Sequence, residues 1–251
     1  MTKMPSLVDL LQAGVHFGHQ TSKWHPKMNK YIFGSRNGVH IINLEETLKS
    51  LEKASGYAKS IAARGGTILF VGTKKQASSI VERTAKSCGM PYVDKRWLGG
   101  TLTNFAAIAS VLRKFRDLKR KNEKGELVKY TKFEQLKFME EIEKSEEKIG
   151  GIQDMLRIPD AVFILDIRKD NTAFDEAIKR GIPIIAVCDS NVDPTQVDYP
   201  IPANDDGVKS IELVAGTIAQ ACNDGKAEWE AARARLGGAL VQTAGDVKRE
   251  V

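Results

Sequence analysis

All four histidines of this 251-residue chain, His16, His19, His25 and His40, fall within residues 16–44, HFGHQTSKWHPKMNKYIFGSRNGVHIINL. His16 and His19 stand three apart, a spacing that on a helix lets two imidazoles share a metal or supply a general base. The same stretch interleaves Lys23, Lys27, Lys30 and Arg36 with Trp24, Tyr31 and Phe33. Cations spaced by aromatic rings suit RNA, because rings stack on bases while cations neutralise phosphate. Gly14 and Gly18 flank the first histidine and argue against regular helix there, so each of the pair reads more simply as a loop residue. Phe33 fits the core of a hairpin, whereas Trp24, between Lys23 and His25, is harder to bury.

Other enzymatic constellations fail on spacing. "FVGTKK" (70–75) resembles the start of a phosphate loop, but residues 69–80 hold a single glycine, Gly72. The P-loop requires G-x-x-x-x-G-K-[ST] and the dinucleotide fingerprint G-x-G-x-x-G, and without those glycines the backbone cannot wrap a phosphate. Ser78 and Ser79 fall inside a helical pattern, away from any nucleophile elbow. Asp166 and Asp189 end apolar runs, where catalytic groups of α/β folds stand, yet aspartates at such places are commonly turn formers. No set of nucleophile, base and oxyanion donors assembles, which leaves a nucleotide-dependent enzyme as the weaker reading.

Charge favours an anionic partner. The chain carries a net charge of +6, with 42% hydrophobic and 28% charged residues. Between Lys95 and Lys132 eleven cations face three acids, +8 in one window, and six glutamates follow between Glu134 and Glu147. A chain that sorts its charges this way presents a basic face to something anionic. No apolar run reaches the roughly 18 residues of a membrane span, and the opening MTKMPSLVDLL lacks the apolar stretch of a signal peptide. Cys88, Cys188 and Cys222 are odd in number and far apart, which suits a reducing compartment and excludes a cysteine zinc site.

The elements that must position these groups follow from apolar patterning. "LVDLLQAG" (7–14) predicts a short helix, and Asn37-Gly38 between apolar runs predicts a hairpin turn. A capping Asn43 opens a helical period through residue 66. "TILFVG" (67–72), "YVDKRW" (92–97), "AVFILDI" (161–167), "IIAVCD" (184–189) and "VDYPIP" (197–202) predict strands, separated by helices at 74–89 and 171–181 and followed by one at 207–225. Unbroken apolar strands alternating with helices mean a parallel sheet covered on both faces. Residues 105–149 break the rhythm. Phe105, Ile108, Leu112 and Phe115 form one helical stripe and Phe133, Leu136, Met139, Ile142 and Ile149 a second, so an inserted antiparallel hairpin is expected, with a helix pair lying on the sheet as the alternative. The expected organisation is an α/β core of 1–104 and 150–225 with a hairpin at 30–42 facing RNA, an inserted hairpin at 105–149, and a tail at 226–251 that is partly helical and partly flexible.

In a parallel sheet the carboxyl ends of the strands share one edge, which would bring Asp189 near Asp205 and Asp206. The step from Cys188 to Val197 is short for a parallel crossover. Three carboxylates at one edge need a counter-charge, from a lysine or arginine or from a bound cation. His19 could reach the same edge and complete a ligand set for zinc or, with water, magnesium. The competing reading has these aspartates solvated and capping the helix that starts near Gly207. No cofactor is required.

"GVHFGHQTSKWHPKMNKYIFGSRNGVHIINLEET", "ILFVGTKKQA", "DKRWLGGTLTNF", "IPDAVFILDI" and "IPANDD" together resemble the small-subunit ribosomal protein S2 family in its bacterial or organellar form. The matches run in order from about residue 7 to about residue 222. The resemblance implies a flavodoxin-like parallel sheet flanked by helices with an inserted coiled-coil hairpin. It implies a structural, non-enzymatic role in the cytoplasmic ribosome, with small-subunit ribosomal RNA, other small-subunit proteins and the large RNA-binding S1 protein as partners, and neither membrane nor DNA. By position, the RNA-facing residues would be Lys23, Trp24, His25, Lys27, Lys30 and Arg36, then Lys74 and Lys75, then Lys95, Arg96 and Trp97, and on the hairpin Arg113, Lys114 and Arg116. For Trp97 a place in the core stands as the alternative. A free regulator binding several RNAs is the remaining reading.

Overall fold

The computed structural model describes residues 4–246, with side chains through residue 235. β4 (Ile68–Val71), β6 (Ala161–Ile164) and β7 (Ile184–Cys188) are buried at every position, as strands covered on both faces must be. With β5 (Tyr92–Val93) and β8 (Tyr199–Pro202) they form a five-stranded parallel sheet in the order β5-β4-β6-β7-β8. That is the flavodoxin-like order, with its topological switch point between β4 and β6. β8 carries Pro200 and Pro202, which an edge strand tolerates because one row of its amides has no sheet partner. Only a 3₁₀ turn at Pro194–Gln196 lies in the short β7–β8 crossover, yet the pairing is parallel, Cys188 opposite Pro202.

Alternation along each strand divides the core in two. Ile68, Phe70, Phe163, Ile185 and Val187 face α2 (Leu44–Ala62), α3 (Lys75–Ser87) and α7 (Val208–Asp246). Leu69, Val71, Val162, Ile164 and Ala186 face α6 (Asn171–Arg180) and the inserted helices. Asn43 caps α2, its side chain accepting from the Glu45 amide at 3.0 Å, a contact worth about 1 kcal/mol. α7 does not stop at Gly225 as the sequence suggests. A Cβ at 225 would strike the Lys59 carbonyl and Ala62, so the glycine lets α7 cross close to α2 rather than ending the helix. The flexible end expected for the tail falls partly on residues 247–251, outside the described residues.

A second, antiparallel sheet of β1 (Phe17–Gln20), β3 (Val39–Ile42) and β2 (Ile32–Arg36) follows α1 (Leu7–Gln12). Asn37 and Gly38 turn β2 into β3 with φ of 52° and 75°, the pair of left-handed residues that a tight hairpin turn demands. His16 lies in a turn, as expected, whereas His19 stands on β1 instead of in a loop. Gly18 is what lets it approach: a Cβ there would lie 2.9 Å from Ser190 Oγ. The His19 amide donates to that hydroxyl at 2.8 Å and the His25 amide to the Ser190 carbonyl at 2.7 Å, which pins the small sheet to the end of β7.

The insertion consists of α4 (Phe105–Glu123) and α5 (Lys132–Ile149), joined through Gly125 and a 3₁₀ turn at Glu126–Lys129. Thr131 and Glu134 close a reciprocal capping box at the start of α5. Leu112, Phe115 and Ile149 belong to the sheet's second core. The expected α5 stripe needs correction. Phe133, Leu136 and Met139 are exposed, and the inward row is Gln135, Phe138, Ile142 and Ile149, because a 3.6-residue period seated on Ile149 selects that set.

Candidate nucleic-acid interface and carboxylate cluster

Lys74, Asp166, Asp189 and the pair Asp205–Asp206 follow the carboxyl ends of β4, β6, β7 and β8, and these groups meet. Lys74 Nζ lies 3.0 Å from Asp166, 3.1 Å from Asp205 and 2.6 Å from Asp206. His19, carried in by β1, places Nδ1 3.1 Å from Asp189 and Nε2 3.5 Å from Asp206. The Asp205 amide donates to Asp189 at 3.3 Å, so the short crossover does bring the two aspartates together. Asn204, not an aspartate, serves the turn into α7, accepting from the amides of Asp206 and Gly207 at 2.8 and 3.1 Å.

Burial and crowding set the protonation of this cluster. Asp205 is 3% exposed; desolvation first, then the fields of Asp166 and Asp189, push its carboxyl up to about 7. Burial opposes the charge on Lys74, but hydrogen bonds to Asp206 and Asp166 and the field of Asp205 outweigh it and raise its pKa. The hydrogen bond from Lys74 holds Asp206 below the usual carboxylate range. A hydrogen bond to Asp189 raises His19 against the opposing effect of burial. His19, Asp205 and Asp206 can offer ligand atoms within 4.8 Å of one another, a donor set of one nitrogen and carboxylate oxygens that suits zinc or a harder divalent cation. His16 lies outside the cluster, its ring against Phe17.

Two RNA-facing assignments change. Lys74 was expected to meet phosphate, but its ammonium is held among three carboxylates and is 17% exposed. For Trp97 the structure takes the core alternative over RNA contact: the residue is 8% exposed and donates Nε1 to Glu176 at 3.0 Å. Glu176 also accepts from the amides of Gly100, Leu102 and Thr103 at 2.7, 2.9 and 3.0 Å, so one buried carboxylate holds the whole RWLGGTLT turn. Those hydrogen bonds outweigh desolvation and lower its pKa. Glu176 went unnoticed in the sequence because nothing near it in the chain signals its partners, which lie more than seventy residues away.

The remaining cations face outward. Lys23, Lys30, Arg36, Lys75, Arg96, Arg113 and Lys114 are exposed and form no ion pair among the described residues. Arg116 is half-buried, and Lys27 is partnered by Asp193 at 2.7 Å. Trp24 is 38% exposed and tilts against His40, and His25 accepts from the Lys27 amide at the start of its 3₁₀ turn. Sequence reading missed Arg168 and Lys169, exposed and likewise without an ion pair, in the loop after β6. Their place at a strand's carboxyl end was the available signal. Lys169 lines both of two adjoining clefts, one containing Lys23 and Arg168, the other Lys95 and Arg96. The switch point itself is filled from within, since the Thr73 amide donates to Asp170 at 3.1 Å and its hydroxyl to the same carboxylate at 2.6 Å. Gly72 serves helix packing, because a Cβ there would lie 2.7 Å from Val81.

Strand-end carboxylates gathered around one lysine and one histidine, beneath a rim of exposed cations and beside an arm whose first helix is basic, define an α/β protein with a charged sheet edge. The family model described as Ribosomal protein S2 matches residues 10–225, and the chain belongs to that family. It is 48% identical to the small ribosomal subunit protein uS2 of Acidothermus cellulolyticus over 233 residues, which is 92% of this chain and 85% of that relative.

Proposed function

We propose that the protein is a structural constituent of the small ribosomal subunit, where it binds small-subunit ribosomal RNA and neighbouring ribosomal proteins and serves translation by placement rather than by catalysis. The observation that carries this reading is the family match along residues 10–225. The free cations supply the physical means. Lys23 and Lys30 on the 3₁₀ turns between β1 and β2, Arg36 on β2, Lys75, Arg96, Arg168 and Lys169 near the strand ends, and Arg113, Lys114 and Arg116 on α4 neutralise phosphates, joined by Lys95, which Asp94 meets only at 3.8 Å, while Trp24 and His25 offer rings for stacking. Lys27 contributes when it leaves Asp193. Lys74 and Trp97 act as positioning residues beneath this surface. The working units are the core of 1–104 and 150–225, the arm of 105–149 and the extension of 226–251. S1 is among the partners whose attachment the protein supports, and the cytoplasmic ribosome is its location. No helix among the described residues is long and apolar enough to cross a membrane.

His19, Asp189, Asp205 and Asp206 are the further candidates, for a divalent cation. Four carboxylates, counting Asp166, surround one ammonium and one imidazole, so the cluster lacks positive charge even with Lys74 in place. Protein purified without chelator should carry metal that the double variant Asp205→Ala, Asp206→Ala loses. Negligible metal in both removes the site.

Sedimentation of a native lysate tests the main reading. The protein should travel with small subunits. Recovery only in light fractions would support a free regulator, and thermal stabilisation by nucleotide would support an enzyme.

A further inference from the structure

α5 has two unlike faces. Its inner row packs on the core through Ile142 and Ile149, and Phe138 meets the Tyr130 ring edge-on. Its outer face leaves Phe133, Leu136 and Met139 in water, 65%, 56% and 57% exposed, within two turns of helix. Large apolar side chains clustered this way on a soluble protein mark a contact surface. Along the same face, at the i+4, i+3 and i+4 steps from Leu136, stand Glu140, Glu143 and Glu147, all exposed. Glu143 and Glu147 form no ion pair among the described residues, and Glu140 has only Lys144 at 3.4 Å. The surface is therefore apolar toward the tip of the arm and acidic toward its base.

We infer that this outer face of α5 docks a basic amphipathic helix from a neighbouring protein of the small subunit. Two other occupants fit badly. RNA would bring phosphate against Glu140, Glu143 and Glu147, with the nearby Lys137 folded over the Phe133 ring at 4.5 Å and Lys144 held by Glu140. A second copy of α5 would set glutamate on glutamate when parallel, and glutamates on Phe133, Leu136 and Met139 when antiparallel. A helix whose apolar residues recur at i, i+3 and i+6 and whose next turns carry Lys or Arg on the same face matches both halves at once. The arm then divides its labour: α4 turns Arg113, Lys114 and Arg116 to RNA, and α5 turns an apolar and acidic face to protein.

The inference rests on the ribosomal reading, and cross-linking within assembled subunits separates the two. Cys88, Cys188 and Cys222 are buried, so Leu136→Cys provides the accessible thiol for a benzophenone label. Small subunits assembled with the labelled protein are irradiated and the cross-linked peptide is sequenced. The expected product joins residue 136 to a Lys- or Arg-rich amphipathic helical segment of one other subunit protein. Adding Glu140→Lys, Glu143→Lys and Glu147→Lys should cut its yield at least tenfold, with unchanged circular dichroism and unchanged or tighter binding of the isolated protein to ribosomal RNA. Cross-links to RNA, to a second copy, to an acidic or neutral segment or to nothing would overturn the proposal, as would a yield indifferent to the charge reversal. If the ribosomal reading itself is wrong, the labelled protein will not sediment with subunits at all.

Discussion

At the scale of single residues, the groups that decide the architecture of the site are the buried charges. Glu176 accepts five hydrogen bonds from Trp97, Gly100, Leu102 and Thr103. Glu176→Gln would turn an amide NH₂ toward groups that need an acceptor, and urea denaturation should show a loss of about 3 kcal/mol. Because its pKa in the folded protein lies below the ordinary value of 4.5, its contribution is complete above that pH. It is lost as pH falls through the lower, folded value. The variant should accordingly lack this part of the acid-side decline, and identical acid limbs for the two proteins would contradict the assignment. Lys74→Met would leave Asp166, Asp205 and Asp206 crowded without their shared counter-charge, at a cost of about 3 kcal/mol measured the same way. Little of this was legible beforehand. Residue types announced carboxylates at strand ends, but only the fold brings Lys74 to Asp205, 131 positions later in the chain.

At the scale of elements, legibility followed the strength of local pattern. β4, β6 and β7 could be read because residues buried on both faces form unbroken apolar runs, and α2 because Asn43 and two glutamates mark its start. β1 could not be read, since FGHQ has neither alternation nor β-branched residues and owes its conformation to Ser190 and β3. α5 offers two apolar rows, and its own sequence does not choose between them; the packing of Ile149 on the core does. That packing decides what deletion of the arm should do. Lys119 and Glu146, 2.9 Å apart, mark where the two helices run side by side. Replacing residues 121–144 with a short Gly/Ser turn should leave cooperative thermal unfolding intact. Removing 105–149 should not, because Leu112, Phe115 and Ile149, each 4% exposed or less, leave the core with it. Losses of about 2–5 kcal/mol per large core side chain would exhaust much of an ordinary domain's stability. Equal melting of the two deletions would show the arm to be independent after all.

For the whole molecule, the consequence of charge placement is a steep dependence on salt. With roughly 6 phosphates neutralised, affinity for small-subunit RNA should fall by a factor on the order of a thousand between 50 and 200 mM salt. The triple variant Lys95→Ala, Arg96→Ala, Lys169→Ala should lower the slope of the log–log salt plot by about 2. An unchanged slope would move the RNA surface elsewhere. The arm adds a mechanical condition of its own. A Cβ at Gly151 would collide with the Tyr92 carbonyl, so the base of the insertion is seated against the sheet edge with no room for a methyl group. α4, with 19 residues, reaches about 28 Å from that seat. A lever of that length turns a tilt of about 5° at the base into roughly 2 Å at the tip, enough to break any hydrogen bond made there. Gly151→Ala should therefore leave contacts near the core in place and misplace those at the far end, a defect whose size grows with distance from the pivot.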